Sequence, residues 1–227
     1  MLAAGALAAV MILAFGRTFY AKFLFDLPPL SRMAVLHGIL ATLWLGLHVT
    51  QARLIAAHRV DIHRKLGILA AVVGVLLAVQ ALDLGITRVA TGHAPPGRNP
   101  LEFLSVPIGT TTMFVLFLAS ALALRKKKEW HKRLMLLATM ALLVPAAGRL
   151  DGLIMHPLGL PRGMVALPLT AVFVLWAWVH DWRKRGRVHP VFILGGLALL
   201  VSIPLRTWIG YTDTWLPIAR WIVGFAQ

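Results

Sequence analysis

Nine histidines and no cysteine set the chemistry open to this chain of 227 residues. Without thiols there are no disulfides, thiolate metal sites, iron–sulfur clusters or cysteine nucleophiles. Imidazole remains, and a neutral imidazole binds haem iron, copper or zinc. Two histidines sit in one repeated phrase, acid–x–His–basic–basic–Leu. "DIHRKLG" carries His63 and "EWHKRLM" carries His131, and an apolar run follows each. A helix beginning at each phrase places Asp61 and Glu129 at its positive end. That end, with the bases beside it, disfavours imidazolium and leaves a ring nitrogen free to ligate.

His63 leads a stripe of small residues: Gly67, Ala70, Ala71, Gly74, Ala78, Ala81 and Gly85. Spacings of three and four put them on one helix face with His63. Two readings stand side by side: close helix packing, which small residues permit, or a bed for a planar macrocycle with His63 at its iron. His37, Ala41, Trp44, His48 and Gln51 form a second stripe on one face. Intramembrane ionisable groups are functional candidates by default, and the plain alternative is a histidine bonded to a neighbouring carbonyl. His180, in "WVHDWRKRG", is a further metal candidate that Asp181 could orient. His58 and His189 flank basic loops and read as ordinary interface residues. A separate polar set comprises Asp83, Arg88, Thr110, Thr111, Thr112, Arg149, Asp151, His156 and Arg206. Within it Arg149 is expected to pair with Asp83 or Asp151 as a structural ion pair. The alternative is a ligand pocket built on Asp83, Thr111, Arg149 and Asp151 for an anionic or quinone-like molecule.

The elements that must hold these residues are membrane helices. Hydrophobic residues make up 59% of the chain, mean hydropathy is +0.80, and charged residues are 14%. Apolar runs of about 20 residues recur, and the short alternating segments of a β-barrel do not. The expected fold is all-α: one polytopic transmembrane domain over residues 1–227. Its seven spans are near 2–20, 31–57, 62–90, 104–124, 130–150, 163–182 and 189–209. "DLPPLS", "GHAPPGRNP" and "DGLIMHPLGLPRG" supply breaks. Residues 213–226 are too short to cross, and their apolar side (Trp215, Ile218, Trp221, Ile222, Phe225) predicts an interfacial helix.

Fourteen of the 23 lysines and arginines fall in three alternate connections. They are Arg53, Arg59, Arg64 and Lys65; Arg125, Lys126, Lys127, Lys128, Lys132 and Arg133; and Arg183, Lys184, Arg185 and Arg187. The excess predicts that end to be cytoplasmic, with the N-terminus inside and the C-terminus periplasmic. The net charge of +15 then meets anionic lipid headgroups rather than nucleic acid.

Several chemistries drop out. Every lysine lies at a predicted span end, so no retinal-type Schiff base forms in mid-membrane. The zinc-protease pattern H-E-x-x-H, the hydrolase elbow G-x-S-x-G and the P-loop are all missing. The echo between the two histidine phrases does not extend to the preceding spans: at that offset His37 meets Ser105. A shared way of starting a helix explains it as well as duplication does.

The phrases "LHGILATLWLGLHVTQARLIAA", "DIHRKLG", "HKRLMLLAT" and "RGRVHP" resemble a bacterial multi-pass inner-membrane family that has no settled function. A weaker resemblance is to diheme b-type transmembrane cytochromes and haem A synthase-like four-helix bundles. There, a helix opening "HG" and another with His before "LG" supply axial ligands, which by position marks His37 and His63, with His131 a third candidate. The resemblance implies haem b, and on the haem-binding reading a quinone or a respiratory complex exchanges electrons with it. The fourth span has no histidine, which departs from a paired bundle. Three functions follow from the chain: a haem-binding redox protein using His37, His48, His63 and His131; a transporter or binder using the Arg/Asp/Thr set; or a scaffold in which all these groups are structural.

Overall fold

A computed structural model describes residues 2–160 and 163–226, and among these every regular element is helical. The helices are α1 (Leu2–Phe15), α2 (Arg32–Ala56), α3 (Val60–Ala90), α4 (Pro100–Phe103), α5 (Ser105–Ala123), α6 (Lys128–Ala141), α7 (Leu143–Leu150), α8 (Ala166–Arg185), α9 (Pro190–Gly210) and α10 (Trp215–Gly224). Six helical segments are long and apolar enough to cross a membrane: Leu2–Tyr20, Arg32–Ala56, Val60–Ala90, Pro100–Ala123, Lys128–Met155 and Pro190–Gly210. The chain therefore has the make-up of a membrane-embedded helical protein. The span expected over 163–182 is occupied by α8, a true helix but not one of those six. Its last turns carry His180, Asp181, Arg183, Lys184 and Arg185, which dilute its apolar character.

Local chemistry sets the ends. The Ser31 hydroxyl accepts from the Ala34 N–H at 3.2 Å and caps α2. Asn99 caps α4 ahead of Pro100. Gly186 closes α8 in the left-handed region, at φ 70°. The span expected as one helix over 130–150 is broken at Leu142 into α6 and α7. Pro145 has no N–H to give the carbonyl four residues back, so the ladder slips there.

Around the bundle, α1 packs on α2 and α7, α2 on α3, α3 on α5, α5 on α6 and α9, and α9 on α8. The small stripe of α3 is filled. A Cβ at Gly74 would come within 2.8 Å of the Trp44 ring from α2 and 2.7 Å of Leu118 from α5. One at Gly85 would sit 3.0 Å from Pro107 of α5. Trp44, 1% exposed, also meets Phe114 edge-on at 5.1 Å between centroids. Of the two readings of the stripe, helix packing is the one the side chains occupy.

An ion network with a buried Arg133–Asp181 centre holds the basic end. Arg133 (α6) is 1% exposed and donates to both carboxylate oxygens of Asp181 (α8), which is 5% exposed. It also donates to the Glu129 carbonyl and carboxylate, at 2.7 Å each. Arg185 reaches the same Glu129 carboxylate. Asp181 accepts the His189 N–H at 2.8 Å, and the His189 ring accepts the Val191 N–H at 3.2 Å to cap α9. Burial, then the Arg133 and Arg185 cations, hold the His189 imidazole below its ordinary pKa. α6, α8 and α9 are thereby fastened at one point.

Two measurements follow. Gly74→Ala forces a methyl against Trp44 and Leu118 and should cost about 1–3 kcal/mol, seen as a lower thermal midpoint in detergent. An unchanged midpoint would mean the stripe is open. Arg133→Met strips Asp181 of its cation and should cost about 3–5 kcal/mol. Arg133→Met with Asp181→Leu should unfold at a higher temperature than Arg133→Met alone, whereas additive losses would show that the two do not form a pair.

Candidate histidine site at the basic end of the bundle

His63 lies in the first turn of α3 and His131 in the first turn of α6, and the fold brings their rings together. Their centroids are 6.3 Å apart and their planes are 78° to one another. The last turn of α5 lies between the two helices and orients one ring. His131 Nδ1 is 2.9 Å from the Ala121 carbonyl oxygen. A carbonyl cannot donate, so Nδ1 carries the hydrogen and a neutral His131 has its lone pair on Nε2. This arrangement fixes the tautomer and ring orientation of a ligating histidine. His63 is placed from the other side: its carbonyl accepts from Gln51 Nε2 of α2 at 3.2 Å. Its own Nδ1 is buried with no hydrogen-bond partner.

The spacing suits one shared ion. Metal–imidazole bonds of about 2.0–2.1 Å on opposite sides of an ion put ring centroids roughly 6 Å apart. Among the described residues no group of three or more His, Cys, Asp and Glu could hold a metal. A bare structural zinc site uses four protein ligands and a catalytic one three. Haem iron, whose equatorial positions belong to the porphyrin, asks the protein for axial ligands only. Two imidazoles with centroids 6.3 Å apart have the separation that such axial ligation needs. The α3 stripe does not fit the porphyrin ring, because Trp44, Leu118 and Pro107 already lie in it.

The remaining candidates are dispersed. His37 and His48 lie on the inner side of α2. His48 stacks on Trp44 with centroids 6.3 Å apart and planes 20° apart, and His37 Nδ1 is buried without a partner. His180 is exposed on α8. Asp181 beside it turns to Arg133 and the His189 N–H, so it does not orient His180.

The other polar set does not form the expected ion pair. Arg149 lies 4.0 Å over the Phe15 ring and donates to the Pro145 carbonyl at 3.0 Å. Asp151 is buried and accepts the Val165 N–H at 3.2 Å, tying down the connection to α8. Asp83 and Arg88 are exposed on α3, while Thr110 and Thr111 are buried on α5. The His156 side chain lies outside the described part. The clamp at this end is instead Arg206, 5% exposed. It donates to Thr110 Oγ1 at 2.5 Å, to the Ser202 carbonyl at 2.9 Å and to the Ser202 hydroxyl at 2.8 Å.

Sequence reasoning missed the Arg133 network. Its signals were present: Glu129 and Arg133 at the i,i+4 spacing of a helical pair, and Asp181 as the single acid of α8. No family model, no curated protein and no solved structure matches the chain.

Proposed function

We propose that this chain is a polytopic bacterial inner-membrane protein that holds haem b iron between His63 and His131 and passes electrons to or from a quinone or a respiratory complex. The carrying observation is the 6.3 Å approach of two imidazoles from helices that start in different loops. The Ala121 carbonyl supports it by aiming the His131 lone pair away from its own backbone contact. His63 and His131 bind the metal, and Gln51 positions His63 through its carbonyl. Bound haem iron supplies reversible one-electron chemistry, and the low-dielectric surroundings tune its potential.

The basic connections orient the chain in the membrane. His63–His131, Trp130–His189 and Arg133–Asp181 tie three basic connections to one end of the bundle. An end so rich in lysine and arginine faces the cytoplasm and anionic headgroups. With α8 taken as the seventh crossing, the N-terminus is cytoplasmic and the C-terminus periplasmic, and α10 lies in the opposite interface. α10 buries Trp215, Ala219 and Val223 and exposes Ile218 and Trp221, with Phe225 exposed just past its end, the two-sided pattern of such a helix.

The test is a reduced-minus-oxidised absorbance spectrum of the protein purified in mild detergent after expression with haem precursor. Soret and α bands are expected for the native chain and should vanish in both His63→Ala and His131→Ala. A colourless, well-folded native preparation, or bands that survive both substitutions, would contradict the assignment.

A further inference from the structure

The buried polar atoms that lack a partner gather along one seam. Six such side-chain atoms are present among the described residues: Thr18 Oγ1, His37 Nδ1, Trp44 Nε1, Gln51 Oε1, His63 Nδ1 and Gln80 Oε1. Three of them, on His37, Trp44 and Gln51, recur every seven residues of α2, so they share a face. α3 runs antiparallel beside it. Gln51 touches the His63 carbonyl and Trp44 packs on Gly74, and that register brings Gln80 level with His37. Thr18 is in the turn that continues α1, whose next residue, Phe19, lies against Gly38. Thr18, His37 and Gln80 thus mark one end of the seam and Gln51 and His63 the other, with Trp44 and His48 between.

The row from His37 to Gln51 is about 21 Å long at the standard helical rise, against a hydrocarbon core of about 30 Å. An unsatisfied polar group at that depth is strongly disfavoured, so native membrane proteins give such atoms partners. Histidines inside a membrane span mark proton relays and polar pathways.

We propose that the α2–α3 seam is a water-bearing route for protons between the two faces of the membrane. Water bound at His37, Gln80 and Thr18 receives a proton at one end. Water at Gln51 releases one at the other, and no covalent bond other than O–H and N–H is made or broken. His37 and His48 pass protons by accepting on one ring nitrogen and releasing from the other. Trp44, whose indole only donates, anchors a water rather than relaying. His63 is shared with the proposed metal pair; the relay itself uses His37, His48, Gln51, Gln80 and Thr18, none of them a ligand in that pair.

The test uses the full chain in sealed phospholipid vesicles. A potassium diffusion potential set with valinomycin drives protons, and a trapped pH-sensitive dye reads them. Native protein should carry protons several-fold faster than protein-free vesicles. His37→Leu with Gln51→Leu should return the rate to that of protein-free vesicles, and Asp83→Asn, exposed and off the seam, should leave it at the native value. A native rate equal to that of empty vesicles, or full flux in the double variant, overturns the proposal. Because the chain has no cysteine, labelling gives a second reading that does not depend on the double variant folding. Ala41→Cys, on the seam face, should react with a water-soluble maleimide, and Leu43→Cys, on the exposed apolar face, should not. Equal reactivity at the two positions, or none at Ala41→Cys, also overturns it.

Discussion

The Arg133–Asp181 pair is the contact on which the rest of the basic end depends. A guanidinium that is 1% exposed has given up its water and is tolerable only with its hydrogen bonds filled. Here they are filled by Glu129 on its own helix and by Asp181 on α8, and the guanidinium also lies over the face of Phe192 on α9, 5.3 Å from the ring centre. An ion pair of this kind contributes less through net attraction than through intolerance of alternatives. Any other placement of α6 against α8 leaves a buried charge alone. Arg133 lies two residues after His131, so the same constraint fixes the first turn of α6 and with it the direction of the His131 ring.

Packing does for the bundle's middle what the ions do for its end. In lipid there is no hydrophobic gain from pressing one apolar helix on another, and association rests on close fit. Trp44 supplies the largest surface, and Gly74 supplies the room for it. Small residues on α3 therefore serve the large ones on α2 and α5. Buried polar groups elsewhere, such as Arg133, Asp181, Thr110 and Arg206, have found partners, which is why the unpartnered polar atoms between α2 and α3 are informative.

Much of this could be read from the residues. Runs of apolar residues and their Pro/Gly breaks locate the helices, since the length needed to cross a bilayer is a physical constant of the solvent. The two histidine phrases were visible as helix starts, and their meeting follows once alternate loops share a membrane face. Other features depend on rotation about helix axes, which spacing alone does not determine. Arg149 and Asp151 are two residues apart and look like partners. Two residues along a helix turn side chains to different sides, and each finds a backbone group or a ring instead. Arg133 and Asp181 are 48 residues apart, and only the fold shows that they touch. The break at Leu142 was also missed, because a proline inside a membrane helix can bend it, break it or be absorbed by neighbours.

The central claim is that two imidazoles from separate helices present their free nitrogens to a single ion. The most direct measurement is electron paramagnetic resonance of the purified chain titrated with one equivalent of Cu(II). Hyperfine structure from two imidazole nitrogens is expected in the native protein, and from one in His131→Ala. A native spectrum showing only solvent-like oxygen coordination, or one unchanged by removing His131, would mean that the two rings do not act as a pair.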